Sequence, residues 1–310
     1  MTAPPADSPD RIVIAGGSGF IGSALSEHFR RQGRDVVVLT RNARARENGV
    51  REVAWNGRSF GPWAKELDGA AAIINLTGKS INCRHTDENR REIIASRVVS
   101  VRAIADAIGA SAKPVPVWIQ AGAVGIYGDA GDALCDESAP HGNDFMADVC
   151  EQWEAAFRAA LTPETRRVVL RFGVVLGREG GALPMLASLA RWGLGGSVGN
   201  GRQYISWIHL DDLIALVERA LGAPEMTGPY NAANHVPTKN AAFMERLRHV
   251  LHRPWSPPVP EFAVTIGSYI IGTEPSVALH GQRCVPRRLD EERFVFAHES
   301  LEETMKGLLS

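Results

Sequence analysis

A run of glycines near the start of the chain has the clearest chemical meaning. Residues 12–22, IVIAGGSGFIG, fit both G-x-x-G-x-x-G and G-x-G-x-x-G. The glycines follow an apolar segment and precede an amphipathic one. This is the strand–turn–helix context in which glycines let backbone N–H groups approach a pyrophosphate. The alternative is a tightly packed turn that binds no ligand. The pattern favours a dinucleotide-phosphate site, formed by Gly16, Gly17, Ser18, Gly19, Phe20, Ile21 and Gly22.

The end of the second predicted strand indicates which dinucleotide would bind. An acidic residue at this place holds the adenosine ribose of NAD, but the chain has Thr40 and Arg41 there, and Asp35 lies at the opposite end of the strand. The guanidinium of Arg41 suits a 2′-phosphate, and Arg44 and Arg46 are further candidates. A solvated arginine is the alternative. We predict NADP(H) as the cofactor.

The elements that must position these residues alternate along the first half of the chain. Apolar patterns predict strands at residues 11–15, 36–39, 71–76, 117–121 and 168–172, with helices between them. Thr86 is expected to cap a long helix. Its apolar stripe is predicted to be Ile94, Val98, Val101, Ala105 and Ile108. This alternation favours an α/β fold, a Rossmann-type doubly wound parallel sheet.

Composition excludes several classes of protein. The 310 residues carry a net charge of −1, which argues against nucleic acid or an anionic membrane as a partner. No signal peptide or membrane span is predicted, so a cytoplasmic location is expected. The four cysteines form no C-x-x-C pair and no zinc-ligand spacing with histidine, so we expect free thiols and no metal.

Several segments in order resemble one family. They are AGGSGFIG at residues 15–22, TR at 40–41, INLTGKSI at 74–81, REIIASR at 91–97, AVGIYG at 123–128, WEAA at 153–156, RFGVVLGREGGAL from 171, GNGRQYISWIHLDDL from 199 and GQRCVPRRL from 281. The chain resembles the extended, or epimerase/dehydratase, branch of the short-chain dehydrogenase/reductase superfamily. It is most similar to an atypical NADP-binding subfamily called "epimerase family protein", whose C-terminal domain has no assigned role.

The resemblance implies further contacts with the cofactor. Leu76, Thr77 and Gly78 would line its sugar–phosphate part, and Val174 would lie near the nicotinamide. Glu92 and Arg97 match helix positions that approach the cofactor in this subfamily, although an exposed charged face explains them equally well.

The resemblance also implies a division of the chain. Residues 1–10 are expected to be a disordered tail, and residues 11–175 an NADP-binding Rossmann domain with a return segment at 205–232. Residues 176–204 and 233–310 would form a smaller C-terminal substrate lobe that includes a unit at 261–310. Two helices could support a homodimer.

The usual catalytic pair of the superfamily is missing. Tyr-x-x-x-Lys places a phenol and an ammonium on one helix face, where they move a proton. The residues four positions after Tyr127, Tyr204, Tyr230 and Tyr269 are Gly131, Ile208, Asn234 and Thr273. None of these is lysine, so the proton donor is unknown.

Three residues are weak substitutes. Cys150 and Glu154 are four apart on the expected helix, but a small buried cysteine and a surface carboxylate explain them as well. Tyr127 follows the fifth strand and could equally be a packing aromatic. His209 and Asp211 are interpreted as a structural hydrogen-bonding group and a helix N-cap.

The sequence as a whole predicts an atypical NADP-dependent oxidoreductase or epimerase-like protein. Its substrate would be a small polar or nucleotide-linked molecule. The alternative is a non-catalytic NADPH-binding regulator or scaffold.

Overall fold

Seven parallel strands form the central sheet of the protein. The structure is a computed structural model that describes residues 10–46 and 49–310, so the expected tail, except for Asp10, lies outside the described residues. The strands of the chain are β1 (Arg11–Ala15), β2 (Asp35–Thr40), β3 (Arg51–Ala54), β4 (Ala72–Asn75), β5 (Val117–Ala123), β6 (Leu134–Cys135), β7 (Arg166–Phe172), β8 (Val174–Leu176), β9 (Tyr204–Ile205), β10 (Trp207–His209), β11 (Gly228–Ala232), β12 (Thr238–Lys239) and β13 (Arg283–Cys284).

Ten helices accompany these strands in the described part of the chain. They are α1 (Phe20–Arg31), α2 (Asp87–Gly109), α3 (Phe145–Arg158), α4 (Leu183–Arg191), α5 (Leu210–Gly222), α6 (Asn240–Val250), α7 (Glu261–Ile271), α8 (Ser276–Leu279), α9 (Arg287–Glu291) and α10 (Leu301–Leu309). Two 3₁₀ turns span Pro62–Glu66 and Val124–Tyr127. No described helix has the length and apolar character needed to span a bilayer.

The strand order confirms the predicted doubly wound sheet. It reads β11-β7-β5-β4-β1-β2-β3, and every neighbouring pair is parallel. All carboxyl ends therefore lie at one edge, and the direction of winding changes between β1 and β4, where doubly wound sheets bind their ligands. The last strand, β11, lies within the segment that was expected to return to this domain.

Both faces of the sheet are buried. Alternate residues of β1 point to opposite faces, so Ile12 and Ile14 join one apolar cluster with α1 and α5, whereas Val13 and Ala15 join another with α2 and α3. A sheet covered on both faces explains why its inner strands β1, β2 and β4 are mostly apolar.

The predicted apolar stripe of α2 was partly wrong. Val101 and Ile108 are buried, but the other buried aliphatic residues are Ile93, Ala103, Ile104 and Ala107, not Ile94, Val98 and Ala105. The helix has apolar residues on more than one side, and packing against the sheet and α3 selects which side is buried. Thr86 does cap α2, because its side chain accepts from the Asn89 N–H.

The second half of the chain forms its own apolar cluster between α4, α6 and α10. Main-chain hydrogen bonds connect the proline-rich segment before α7 to the loop after α4. The Val259 N–H donates to the Ser197 carbonyl, and the Val259 carbonyl accepts from the Gly199 N–H. The proline-rich residues 254–260 are therefore packed along the loop that contains Ser197 and Gly199.

Asp212 ties the C-terminal segment to α5. Its carboxylate is buried and accepts from the N–H groups of Ala297 (2.7 Å) and His298 (3.1 Å). Asn234 adds a third bond by donating to the His298 carbonyl. One side chain thus satisfies two main-chain donors of a segment that has no regular structure of its own.

We expect Asp212→Ala to loosen this segment. The change leaves two main-chain donors without acceptors, which costs about 1–3 kcal/mol of unfolding free energy for a buried group. Hydrogen exchange of residues 294–310 should accelerate, as measured by mass spectrometry. The matched control is Glu218→Ala, an exposed carboxylate on the same helix that pairs with His28, and its exchange rates in residues 294–310 should equal those of the wild type. Equal exchange in the two variants would contradict the role of Asp212.

Candidate functional site

The glycine turn after β1 is built by close backbone contacts. Gly16 has φ +75°, and a Cβ there would lie 3.1 Å from main-chain atoms of Leu76 and Thr77. A Cβ on Gly22 would lie only 2.4 Å from the Gly17 Cα. These glycines let the turn, the start of α1 and the end of β4 approach one another.

Gly19 differs from these three glycines because it faces open space. A Cβ there would meet a single atom, the Gly16 carbonyl oxygen at 3.8 Å. Gly19 is the N-cap of α1, and no side chain caps this helix end. The first N–H groups of α1 and its positive dipole end therefore border an open region that suits an anionic group.

Arg41 lies at the end of β2, beside this turn. Its side chain is exposed and forms no ion pair or hydrogen bond with any residue within the described ranges. Arg46 is instead paired with Glu52 at 2.5 Å. Thr40 donates to the Ser18 hydroxyl at 3.3 Å, which links the two predicted contact segments.

The end of β4 contributes a second wall. Asn75 is buried, accepts from Thr77 N and donates to Gln120, so it fixes the backbone that faces Gly16. The Thr77 hydroxyl oxygen is buried and has no hydrogen-bond partner among the described residues. Leu76 is held to β1 by its N–H bond to Ala15 O.

Gly78 leaves room for the guanidinium of Arg97. A Cβ on Gly78 would lie 3.0 Å from the Arg97 Cζ. Arg97 donates through Nη1 to the carbonyls of Lys79 and Ile93, and burial lowers its pKa. Glu92 pairs with Lys79, whose hydrogen bond lowers the pKa of this carboxyl.

The loop after β8 covers the start of α1, a contact that the sequence reasoning missed. Cβ atoms on Gly177 and Gly180 would each lie 2.4 Å from the Phe20 ring, which fills the space that these glycines leave. Val174, predicted near the nicotinamide, begins β8 and donates to Ser206 O at 2.7 Å. The dense glycines after β7 were the available signal for this contact.

The Tyr127 hydroxyl both donates and accepts a hydrogen bond. The phenol donates to Asn231 Oδ1 at 2.7 Å and accepts from Arg171 Nη1 at 2.8 Å. Burial raises its pKa above the ordinary value. A buried phenol with both hydrogen-bonding roles occupied is poorly suited to exchange a proton with a substrate.

Glu154 is buried, so the interpretation as a surface charge was wrong. Its two carboxylate oxygens accept from Arg171 Nε and Nη2 at 2.8 and 2.9 Å. A Cβ on Gly122 would lie 3.5 Å from Glu154 Oε1. An Arg–Glu pair therefore lies beside the carboxyl end of β5.

Cys150 lies one helical turn before Glu154. It is buried, and burial raises the pKa of its thiol to about 12. The thiolate is therefore scarce near neutral pH. Tyr127, Cys150 and Glu154 thus cluster around Arg171, and each is buried.

His209, rather than Asp211, caps α5. The His209 Nδ1 accepts from the Asp211 N–H at 3.0 Å, and the imidazole stacks on that of His298 with ring centroids 3.7 Å apart. Burial lowers the pKa of His209. These two histidines and Asp211 form a group of potential metal ligands, in which the His209 Nδ1 already accepts the Asp211 N–H.

The fold and the glycine turn define a protein of the Rossmann type. Two family models match the chain. Residues 12–234 match the NAD dependent epimerase/dehydratase family, and residues 259–308 match a domain of unknown function, DUF1731. The chain belongs to the NAD dependent epimerase/dehydratase family.

Relatives match over nearly the whole chain. The Arabidopsis thaliana epimerase family protein SDR39U1 homolog, described as chloroplastic, is 33% identical and covers 98% of this chain and 88% of its own. Epimerase family protein YfhF of Bacillus subtilis is 34% identical, covering 96% and 98%. The crystal structure of human epimerase family protein SDR39U1 with NADPH superposes with a TM-score of 0.84 at 30% identity, covering 96% of this chain and 98% of that one. The resemblance seen in the sequence is confirmed.

We expect Glu154→Ala to destabilise the protein strongly. Removing one partner leaves the Arg171 charge buried and unpaired, which costs about 3–5 kcal/mol. Urea unfolding followed by circular dichroism measures the loss. Glu151→Ala on the same helix is the control, because exposed ion pairs contribute about 0–1 kcal/mol. Similar losses of unfolding free energy in the two variants would show that the buried Arg171–Glu154 pair contributes no more to stability than an exposed ion pair.

Proposed function

We propose that this chain binds NADP(H) at the glycine turn and uses it as an oxidoreductase toward a small polar or nucleotide-linked substrate. The observation that carries the proposal is the open space at Gly19, next to a helix end without a side-chain cap and beside the uncommitted guanidinium of Arg41. The human relative crystallised with NADPH supports it.

The residues present fit such a cofactor. Ser18, Phe20 and Ile21 would surround the pyrophosphate together with Gly16, Gly17, Gly19 and Gly22. Arg41 would hold the 2′-phosphate, and Leu76, Thr77 and Gly78 would line the sugar–phosphate part. Thr77 has a hydroxyl that finds no partner within the described protein, as expected for a group that faces a ligand.

Proton transfer is the step of such a reaction for which we find no available acid or base among the candidate residues. The cofactor supplies a hydride when it is bound. Tyr127 and Glu154 are committed to Arg171, and Cys150 is held as a thiol, so none is free to act as acid or base. We therefore propose a substrate whose reduction needs little help from a protein acid.

The same geometry supports a second candidate. A buried Arg–Glu pair at the usual catalytic place suits a protein that senses NADPH without turning it over. In this case residues 176–204 and 233–310, which we propose as a substrate lobe, would bind a partner or an effector instead.

We expect NADPH to bind at least about 10-fold more tightly than NADH. One charge-assisted contact between Arg41 and the 2′-phosphate is enough for this ratio. Isothermal calorimetry should show that Arg41→Asp narrows or reverses the preference. The matched control is Arg102→Asp, an exposed arginine on α2, which should keep the wild-type ratio.

Gly19→Val should abolish binding of both cofactors while the fold persists, because the valine side chain would enter the open space that the cofactor needs.

Two results would contradict this assignment. Equal wild-type affinities for NADPH and NADH would remove the role of Arg41. Normal NADPH binding by a folded Gly19→Val protein would place the cofactor elsewhere.

We expect negligible epimerisation of UDP-sugars and negligible oxidation of secondary alcohols. General acid–base catalysis contributes about 10²–10⁴-fold, and the free Tyr/Lys pair that supplies it is missing. Product analysis by chromatography, with a Tyr-x-x-x-Lys epimerase as reference, measures the difference. Robust epimerisation by this chain would refute the expectation, whereas NADPH oxidation by another metabolite would favour an enzyme over a sensor.

A further inference from the structure

Two cysteines from distant parts of the chain face each other in a small sheet. Cys135 ends β6 and Cys284 ends β13, and they are direct partners in the parallel ladder between these strands. Both are free, both are buried, and both belong to the same apolar cluster. Neighbouring strands lie about 4.8 Å apart. A disulfide spans Cα–Cα separations of about 4.4–6.8 Å, so the spacing permits one.

The two thiols differ in their surroundings. The S–H of Cys135 donates to the Ala133 carbonyl, 3.7 Å from the sulfur, whereas Cys284 is fixed by its main-chain N–H, which donates to the Ser206 hydroxyl at 2.9 Å. The neighbouring Cys284 thiol lowers the pKa of Cys135, whereas burial raises the pKa of Cys284. Cys135 is therefore the thiol that ionises first and reacts first.

We propose that Cys135 and Cys284 form a peroxide-sensitive dithiol whose oxidation joins the C-terminal unit covalently to β6. The Cys135 thiolate attacks one oxygen of hydrogen peroxide, the O–O bond breaks, and the released hydroxide takes a proton to become water. The Cys284 thiol then loses its proton as its sulfur attacks the sulfenic sulfur of Cys135, the S–O bond breaks, and the departing hydroxide takes up that proton to leave as a second water. The two sulfurs lose two electrons, which the peroxide gains.

The bridge would act at a junction of the fold. Asn231 donates through Nδ2 to the carbonyls of Cys135 and Val285, and its Oδ1 accepts from Tyr127. The two cysteines thus flank the residue that joins the C-terminal unit to the Arg171 network.

Hydrogen peroxide treatment of the reduced, folded full-length protein tests the proposal. Thiols counted in denaturant should fall from four to two, and the intact mass should fall by about 2 Da, since two hydrogens are lost. Glutamyl endopeptidase cuts at Glu137, between Cys135 and Cys150, and so identifies the partner of Cys284. The melting temperature should rise by at least about 3 °C and return on reduction, because the bridge closes a long loop.

Single serine variants test whether the bridge joins Cys135 to Cys284 or includes Cys150, the other buried cysteine of the cluster. Cys150→Ser should still lose two thiols, whereas Cys135→Ser and Cys284→Ser should form no intramolecular bridge. If the folded wild type keeps four thiols at a peroxide concentration that oxidises the denatured chain, the proposal is overturned. A bridge that includes Cys150 or Cys83 would overturn it as well.

Discussion

The buried charge of Arg171 decides how the elements at the carboxyl edge of the sheet meet. A guanidinium in the core must be neutralised and its donors must be satisfied. Glu154 from α3 provides the carboxylate, and Tyr127 from the turn after β5 provides a further acceptor. Since Tyr127 in turn binds Asn231 on β11, one charge aligns four elements at the carboxyl edge of the sheet.

This network lies against α3, the helix on which the resemblance would place the acid–base pair of the superfamily. The phenol, the thiol and the carboxylate that sequence reasoning selected as substitutes are all present there. All three are buried, and Tyr127 and Glu154 are each hydrogen-bonded to Arg171. The cofactor end of the crevice has the opposite character, because Gly19 and Arg41 remain open and uncommitted.

The C-terminal unit is held by contacts that are spread along the chain. Asp212 binds its main chain near α10, Asn231 binds it at β13, and Arg178 donates to the carbonyls of Gly307 and Ser310. Arg178 belongs to the loop that packs on Phe20 at the start of α1. The end of the chain is thereby connected to the wall of the proposed cofactor site.

The sequence alone determined the sheet, the glycine turn and the place of Arg41, because these depend on local periodicity and on glycines at fixed spacing. It could not determine that Glu154 is buried, since a carboxylate four residues from a cysteine looks like a surface charge until Arg171 is placed beside it. The buried side of α2, the Phe20 contact and the pairing of Cys135 with Cys284 also required the tertiary structure. Each of these joins residues that are brought together by packing rather than by spacing along the chain.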